Sequence, residues 1–592
     1  MPRSDIEQQY RITLRCHPRQ QNTCQGKALL PKTVNEMAKT TATWHVLLLC
    51  VIAALNSHLV SGNSISTNTT SYEGDEWVEV SWTYTSAHYE TDCWVGLFAP
   101  VGAPKIHAIE KEAGQSTTPY ASLAPIKFIN CIQGGKNGTG SHAFYLNNYR
   151  QDVFFALFEG GLTTPVEAAR SDPLKNEKPR TPMHLRLALT KNANEMQVGW
   201  TAKTADAINV QYGKTSTALT DQVVATSVET YGVEDLCGPP ANTDGYFEPG
   251  FFVNAVIKYT ANSGNVYYRV GSDESGWSDV KYFSTSQPKE KVKLLLTADV
   301  GATEIDGTHY HWEEPNASST YRLMSGDIEN AYLALHIGDI AYSTGYMSKW
   351  ENLMHQIEPV SQRIPYMVGL GNHERDYPGT GTIGGTDSGG ECGVPAKHRF
   401  KMPTPTMDSD NFYFSFNVGP LVHMIMIDTE TAEVGPGSEQ YDFLKADLSS
   451  VNRTETPWVV LMGHRPMYYY DKGWGRNGHF GDAFESLLVQ YGVDLCLWGH
   501  VHNLLATCNV NNGTCVKPGE GPVHLVIGNG GQSLTEYPGP KSGVPTPSWV
   551  TFKLANFGYN EMEITRDELI VNMYSDKDNS LYHSEKLNKK RQ

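Results

Sequence analysis

Five short segments of this chain carry side chains suited to metal binding, and each follows an apolar run typical of a buried strand. Glycine opens four of the five segments. The candidate ligands, in chain order, are Asp299, Asp339, Tyr342, Asn372, His464, His500 and His502. A single residue of this kind after a strand is ordinarily a turn or capping residue, but five ordered segments predict a shared metal site.

The ligand types divide into two sets. Hard anionic donors with one histidine suit a trivalent iron, and this set is Asp299, Asp339, Tyr342 and His502. Neutral donors suit a divalent ion, and this set is Asn372, His464 and His500. Asp339 is predicted to bridge the two ions. A trivalent cation would also remove the proton of the Tyr342 phenol.

Such a pair of ions predicts hydrolytic chemistry. Two ions with a combined charge of roughly +5, less three anionic ligands and one hydroxide, leave about +1. That residual charge attracts a phosphate dianion and stabilises a more negative transition state. Water on such a centre becomes a nucleophile at acidic to neutral pH, so the pattern indicates attack of metal-held hydroxide on a phosphate ester.

The elements that must position these ligands form an α/β domain. From Lys291 onward, continuous apolar runs alternate with segments of helical periodicity, and we place this domain at 290–580. The runs that precede ligands are Val292–Leu296, Leu333–Ile337, Tyr366–Leu370, Trp458–Met462 and Asp494–Trp498. We expect these strands to lie in one sheet, so that their carboxyl ends gather the ligands at one edge.

Two all-β sandwich domains are predicted before the α/β domain. Residues 63–175 alternate polar and apolar side chains, which indicates an N-terminal β-sandwich. A proline-rich stretch between Pro173 and Pro182 reads as a linker. Short alternating strands then recur over 180–287 and favour a fibronectin-III-like domain.

The amino terminus predicts secretion. The apolar run Trp44–Leu55 is shorter than the about 20 residues that span a bilayer. It follows Lys39 and precedes small residues, so we interpret 37–62 as a signal peptide that starts at Met37. Residues 1–36 are then a non-native or upstream extension, and an uncleaved membrane anchor is the alternative. We expect a secreted, extracellular or vacuolar protein.

Composition bounds the partners. Five Asn-x-Ser/Thr sequons predict N-glycosylation, at Asn68, Asn137, Asn316, Asn452 and Asn512. A net charge of -17 argues against a broad nucleic-acid-binding surface. No later apolar run is expected to cross a membrane.

The cysteines give two further predictions. A disulfide could join Cys508 to Cys515 around a turn-rich loop. Cys496 is predicted to be a buried free thiol, with a zinc site as the alternative.

The five segments resemble the motifs of the purple acid phosphatases, and they read Asp299-Val300-Gly301, Gly338-Asp339-Ile340-Ala341-Tyr342, Gly371-Asn372-His373-Glu374, Gly463-His464 and Gly499-His500-Val501-His502. Tyr342 distinguishes that family from other metallophosphoesterases. The stretches Gly463–Tyr468, Glu234–Asn242 and Cys392–Pro395 look like the large plant and algal forms. The resemblance covers about 180–575, and more weakly 63–175.

This resemblance implies an α/β metallophosphoesterase domain with two packed sheets flanked by helices. It also implies Fe(III) with Zn(II), Mn(II) or Fe(II), and a broad phosphomonoesterase activity on phosphorylated small molecules. A phosphodiesterase or nucleotide pyrophosphatase on the same metals is the alternative function. A non-catalytic binding protein built on the sandwiches would require an incomplete metal site.

One departure from the family concerns the leaving group. Many relatives place two adjacent histidines in the loop after the fourth motif, and the loop Tyr468–His479 contains no such pair. We therefore predict that other residues contact the phosphate and protonate the leaving group. The predicted substrate-binding residues are Asn372, His373, Lys472 and Arg476, and the predicted catalytic residues are His373 and His479. A merely solvated loop is the alternative.

Overall fold

The computed structural model describes residues 62–85, 92–100, 124–136, 138–310, 314–405, 412–471, 473–539 and 541–589. The predicted extension, the signal peptide up to residue 61, Asn137 and Lys472 lie outside the described residues. Within the described part of the chain, no helix is both long and apolar enough to cross a membrane.

The first region is a sandwich of two antiparallel sheets. Its strands are β1 Ser64–Thr67, β2 Ser71–Tyr72, β3 Glu76–Thr83, β4 Trp94–Phe98, β5 Lys127–Asn130, β6 Gly135–Lys136, β7 Thr139–Leu146, β8 Phe154–Glu159, β9 Val166–Arg170 and β10 Lys175–Asn176. The sheets run β1-β3-β7-β6 and β5-β4-β8-β9, and β10 pairs with β2. Burial alternates along β3 because successive side chains point to opposite faces.

The second region is another sandwich. Its strands are β11 Met183–Leu189, β12 Glu195–Ala202, β13 Asn209–Gly213, β14 Asp221–Val224, β15 Ser227–Glu229, β16 Phe251–Lys258, β17 Asn265–Ser272, β18 Gly276–Trp277 and β19 Lys281–Ser284. One sheet runs β11-β12-β16-β15, and the other runs β14-β13-β17-β18 with β19 also paired to β17. Trp200 and Tyr268 are fully buried in the core between them.

The α/β region contains two larger sheets. The first runs β22-β21-β20-β34-β35-β36, and the second runs β23-β24-β25-β28-β32-β29-β33. The first sheet is built from β20 Lys291–Thr297, β21 Leu333–Ile337, β22 Tyr366–Gly369, β34 Gly558–Thr565, β35 Glu568–Ser575 and β36 Leu581–Asn588. The second is built from β23 Phe414–Val418, β24 Val422–Met426, β25 Trp458–Gly463, β28 Leu495–Trp498, β29 Leu504–Thr507, β32 Val523–Ile527 and β33 Val550–Leu554. Two hairpins accompany them, β26 Tyr468–Tyr470 with β27 Trp474–Arg476, and β30 Val510–Asn511 with β31 Thr514–Cys515.

Short α-helices complete the fold. They are α1 Cys131–Gly134, α2 Ala317–Asp327, α3 Ser348–Ser361, α4 Asn372–Arg375, α5 Val394–Arg399, α6 Glu439–Ser450 and α7 Gly478–Gln490, with 3-10 turns at Val233–Asp235 and Ile328–Asn330. The predicted architecture is therefore confirmed: β-sandwiches precede an α/β domain with two sheets and flanking helices.

The expectation that the ligand-bearing strands share one sheet is wrong. Strands β20, β21 and β22 are parallel neighbours in the first sheet, whereas β25 and β28 are parallel neighbours in the second. The two sheets share one core, to which Leu296 of the first and Met462 of the second contribute. An apolar strand buried on both faces looks the same in either sheet, so sequence alone did not separate them.

Contacts within Gly62–Gln592 join the sandwiches to the α/β region. Arg150 of the first sandwich and Arg399 of α5 both pair with Glu351 of α3. All three side chains are buried, and Arg399 also donates to the hydroxyl of Tyr231 in the second sandwich at 2.9 Å. A buried charge is tolerated only when it is paired in this way, so these contacts fix the three regions as one unit.

Candidate metal centre

Two of the predicted ligands, His464 and His500, lie against the amide oxygen of a third, Asn372. His464 Nε2 lies 3.0 Å from Asn372 Oδ1, and His500 Nδ1 lies 2.9 Å from the same oxygen. His464 Nε2 is also 3.1 Å from Asp339 Oδ2. These atoms form the set predicted for a divalent ion, with Asp339 beside it.

The remaining ligands form a second group. The Tyr342 hydroxyl lies 3.1 Å from Asp299 Oδ1 and 3.0 Å from His502 Nε2. Donor atoms of Asp299, Asp339 and His502 lie within 4.8 Å of one another, as do those of Asp339, His464 and His500. Asp339 belongs to both groups, which is the position that the bridging prediction requires. The structure thus brings all seven predicted ligands together.

The backbone at the ligands is unusual. Asp299, Asp339, Tyr342 and His500 all have positive φ, between 48° and 67°. Residues other than glycine rarely adopt this left-handed region, because the Cβ atom crowds the backbone. Such strain is tolerated where surrounding structure holds it, and here it turns four ligands into the space between the strand ends.

Glycines beside the ligands supply space as well as turns. Gly338 has a φ of 78°, and a Cβ there would meet the His464 ring at 2.5 Å. A Cβ at Gly371 would lie 2.2 Å from Asp339 Oδ1. The glycines that open the motifs therefore permit close packing of the ligand side chains against neighbouring strands.

Backbone groups orient the ligands. The His500 amide donates to both Asp299 carboxylate oxygens, at 2.9 and 3.0 Å, and the His373 amide donates to Asp339 Oδ1 at 3.0 Å. His464 Nδ1 is 3.2 Å from the Ile337 carbonyl, which only accepts, so Nδ1 carries a proton and Nε2 points to the other ligands.

Glu374 holds the loop that carries Asp339 and Tyr342. Its carboxylate accepts from the amides of Ile340 at 2.7 Å and Gly371 at 3.0 Å. Burial, together with the charge of Asp339, raises the pKa of Glu374 to about 8. Through these hydrogen bonds the carboxylate connects the backbone of the second motif to that of the third.

The electrostatics of the cluster favour cations. Burial lowers the pKa of His464, but the charges of Asp339 and Asp299 outweigh it and raise this pKa to about 10. Burial raises the pKa of Asp339, yet His464 and His373 hold it well below its usual range. The negative charge of the carboxylates thus favours a cation at the position where a metal ion would lie, and the donor set fits two ions.

The Tyr342 phenol is fully buried. Burial first, and then the charges of Asp299 and Asp339, raise its pKa well above 10. The side chain therefore keeps its proton in the protein alone, and only a strongly charged cation could displace it. This agrees with its predicted place in the trivalent set.

His373 lies beside the cluster. Its ring centroid is 4.5 Å from that of Tyr342. Burial lowers the pKa of His373, and its Nδ1 is buried without a hydrogen-bond partner among the described residues. A buried polar atom left in this way is suited to a ligand that arrives at the cluster. Its catalytic and substrate-binding roles stay predictions.

The loop after His464 behaves differently. His479 Nε2 lies 2.9 Å from the Thr431 carbonyl, and because a carbonyl only accepts, Nε2 carries the proton there. Arg476 pairs with Glu485, at 2.7 Å from its Nε, and with Asp482. Both partners lie on α7, and among the described residues no hydrogen bond or ion pair joins Arg476 to the ligand cluster, so its substrate-binding role stays a prediction. Lys472 is outside the described residues.

Two residues at the site were not predicted. Arg465 donates to Glu430 at 2.6 Å, to Asp376 at 2.9 Å and to His500 Nε2 at 3.0 Å. Its place directly after His464 could have drawn attention to it. Asp387 accepts a hydrogen bond from Asn372 Nδ2 at 3.0 Å, and nothing in its glycine-rich loop signals this contact.

Comparisons with known proteins follow the same division of the chain. Residues 292–504 match the calcineurin-like phosphoesterase family. Residues 62–177 match the Fn3-like domain from purple acid phosphatase, 182–285 the N-terminal domain of purple acid phosphatase, and 521–584 the C-terminal region of iron/zinc purple acid phosphatase-like proteins.

A relative that matches over most of its length decides the family. "Probable inactive purple acid phosphatase 24" of Arabidopsis thaliana is 32% identical over 514 residues, which cover 82% of this chain and 82% of the relative. The chain belongs to the purple acid phosphatase family. A purple acid phosphatase structure from yellow lupin (Lupinus luteus) seeds matches with a TM-score of 0.80 and 29% identity, over 89% of this chain and 96% of the lupin chain.

Another relative bears on the reaction. A "Nucleotide pyrophosphatase/phosphodiesterase" of Hordeum vulgare is 31% identical over 310 residues, which are 49% of this chain and 82% of the barley protein. The purple acid phosphatase fold implies a binuclear metal centre, and the two donor groups that share Asp339 are the candidate ligands in this chain.

The structure also tests the predictions made for the cysteines. Cys508 and Cys515 form a disulfide, which confirms that prediction, and Cys496 is buried and free as expected. Two further disulfides join Cys93 to Cys131 and Cys237 to Cys392.

Proposed function

We propose that this purple acid phosphatase is a secreted hydrolase of phosphate monoesters that works with an Fe(III) ion and a divalent Zn, Mn or Fe ion. The observation that carries the proposal is the complete donor set, with Asp339 shared by two groups. Two bound ions would polarise a phosphate ester and lower the pKa of a coordinated water. Asp299, Tyr342 and His502 would hold the trivalent ion.

The protein's own residues would then bind and orient the ester. His373 lies beside Tyr342, and its buried Nδ1 has no hydrogen-bond partner among the described residues, which supports a hydrogen bond to phosphate. Asn372 keeps its carbonyl oxygen toward His464 and His500 because Asp387 accepts from its amide nitrogen. These contacts preorganise the ligand side of the site before substrate arrives.

Turnover is the test of this proposal, because the Arabidopsis relative carries the name "probable inactive". The full chain, loaded with iron and zinc, should hydrolyse p-nitrophenyl phosphate. An Asp339→Asn protein prepared in the same way is the matched control. A wild type that holds two ions per chain and turns over no faster than this variant would overturn the proposal.

A phosphodiesterase or nucleotide pyrophosphatase is the second candidate function. Two observations favour it: the barley relative bears that name, and the exposed Asp387 carboxylate lies beside a ligand, where it would oppose a dianion. A nucleotide leaving group also departs with less need of a proton than an alkoxide. Turnover of bis(p-nitrophenyl) phosphate that greatly exceeds monoester turnover would favour this function.

Secretion and glycosylation are part of the proposal. Asn68, Asn452 and Asn512 are exposed, which supports glycan attachment at these sequons. Expression from Met37 in a eukaryotic host should give a secreted glycoprotein that begins near residue 62. Amino-terminal sequencing of the secreted protein tests this, and a protein retained in the membrane with Trp44–Leu55 uncleaved would contradict it.

A further inference from the structure

A glycine-rich loop between α4 and α5 lies beside the metal centre. The Ile383 amide donates to the Glu430 carbonyl at 2.9 Å, and the Ala432 amide donates to the Gly381 carbonyl at 2.8 Å. The Ser388 amide donates to the Asp376 carbonyl at 3.1 Å. Two of these backbone bonds hold the loop against Glu430 and Asp376, whose carboxylates pair with Arg465.

Asp387 is the charged residue of this loop that contacts the predicted ligand Asn372. Its Oδ2 accepts from Asn372 Nδ2 at 3.0 Å, while Oδ1 of the same amide faces His464 and His500. Asn372 is 4% exposed, whereas Asp387 is exposed. The Asp387 carboxylate therefore lies one amide group away from the ligand cluster, on the side open to solvent.

No cation among the described residues forms an ion pair that would compensate the negative charge of Asp387. Arg465 is shared between the carboxylates of Asp376 and Glu430, which already outnumber it. Among the described residues, no ion pair involves Asp387.

We propose that Asp387 is a specificity-determining residue that disfavours phosphate monoester dianions relative to diester monoanions. The inference rests on the proposed hydrolysis of phosphate esters at this site. A monoester dianion carries one more negative charge than a diester. One unit charge a few ångströms away in a water-like medium changes affinity by about fivefold.

The same contact gives Asp387 a second role that can be separated from the first. Its oxygen accepts from Asn372 Nδ2 and so keeps Oδ1 directed at the histidines. Asp387→Asn removes the charge but retains an acceptor for that hydrogen bond. Asp387→Ala removes both, so only the alanine variant should weaken metal retention as well as relieve the charge.

The first experiment compares two esters with the same leaving group near neutral pH. For the metal-loaded full chain, kcat/KM is measured on p-nitrophenyl phosphate and on bis(p-nitrophenyl) phosphate. Asp387→Asn should raise the monoester-to-diester ratio by about fivefold. Asp221→Asn, an exposed charge change on strand β14 of the second sandwich, should leave the ratio unchanged.

The second experiment measures binding without turnover. Isothermal titration near neutral pH should show that Asp387→Asn binds both dimethyl phosphate, a monoanion, and inorganic phosphate more tightly than wild type does, and that the gain for the phosphate dianion is about fivefold larger than the gain for dimethyl phosphate. Metal content by mass spectrometry should match wild type in Asp387→Asn and fall in Asp387→Ala.

The outcomes distinguish failure of the proposed ester hydrolysis from failure of the specificity role of Asp387. If wild type hydrolyses neither ester, the proposed function fails, and the phosphate titration still decides the role of Asp387. An unchanged ester ratio or an unchanged phosphate affinity in Asp387→Asn would overturn the specificity role. Loss of metal from Asp387→Asn would do the same, because the carboxylate charge would then act on metal retention and not on the choice of substrate.

Discussion

The strand-end ligands and the loop Tyr468–His479 were both predicted to serve one site, but the fold uses them differently. The ligands converge because sheet hydrogen bonds fix where each strand ends, as at Asp299 and His500. In the loop, Arg476 forms an ion pair with Glu485, and His479 Nε2 donates a hydrogen bond to the Thr431 carbonyl. Position in a sheet therefore predicts a side chain's partner better than residue type in a loop.

The largest effect that can test this comparison comes from Asp339. Because it belongs to both donor groups, Asp339→Asn should weaken binding of both ions, by more than roughly 100-fold, and abolish turnover. His464→Ala should empty mainly the divalent site. Metal content by mass spectrometry measures both variants. An Asp339→Asn protein that keeps two ions would show that the shared position is not a bridge.

Tyr342 tests the trivalent group alone. A phenolate on ferric iron gives a visible charge-transfer band, so Tyr342→Phe should lose that band while far-ultraviolet circular dichroism stays unchanged. Tyr259→Phe in the second sandwich is the control and should keep the band. An iron-loaded wild type without visible absorption would remove Tyr342 from the ligands.

His479 tests the loop. If it protonates the leaving group, His479→Ala should slow alkyl phosphates by roughly 100-fold and phenyl phosphates little, since acidic phenols leave without help. The His479 Nε2 proton must first leave the Thr431 carbonyl, to which it is bonded at 2.9 Å. Equal loss on both esters would indicate phosphate binding instead, and no loss on either would leave His479 a structural residue.

The smallest effect is expected at Arg476. Its guanidinium is partly exposed and pairs with two carboxylates of α7, so Arg476→Ala should lower the free energy of unfolding by about 1 kcal/mol or less. KM should not change. Denaturant unfolding and steady-state kinetics measure the two quantities. A tenfold rise in KM with unchanged stability would restore Arg476 as a phosphate ligand and weaken the comparison.

The sequence predicted those metal ligands that a local sequence pattern marks. Asp339 and His500 were identifiable because each follows a glycine at the end of an apolar strand. The division of those strands between two sheets was not, since a strand buried on both faces has the same pattern in either sheet. Arg465 and Asp387 were missed because their partners are brought together only by tertiary packing.

The most direct test of the account is the anomalous scattering of crystals of the metal-loaded full chain, measured at the iron and zinc edges. We expect two peaks that share the Asp339 carboxylate. The iron peak should lie among Asp299, Tyr342 and His502, and the second among Asn372, His464 and His500. A single peak, or two peaks that share no contact with Asp339, would contradict the binuclear centre.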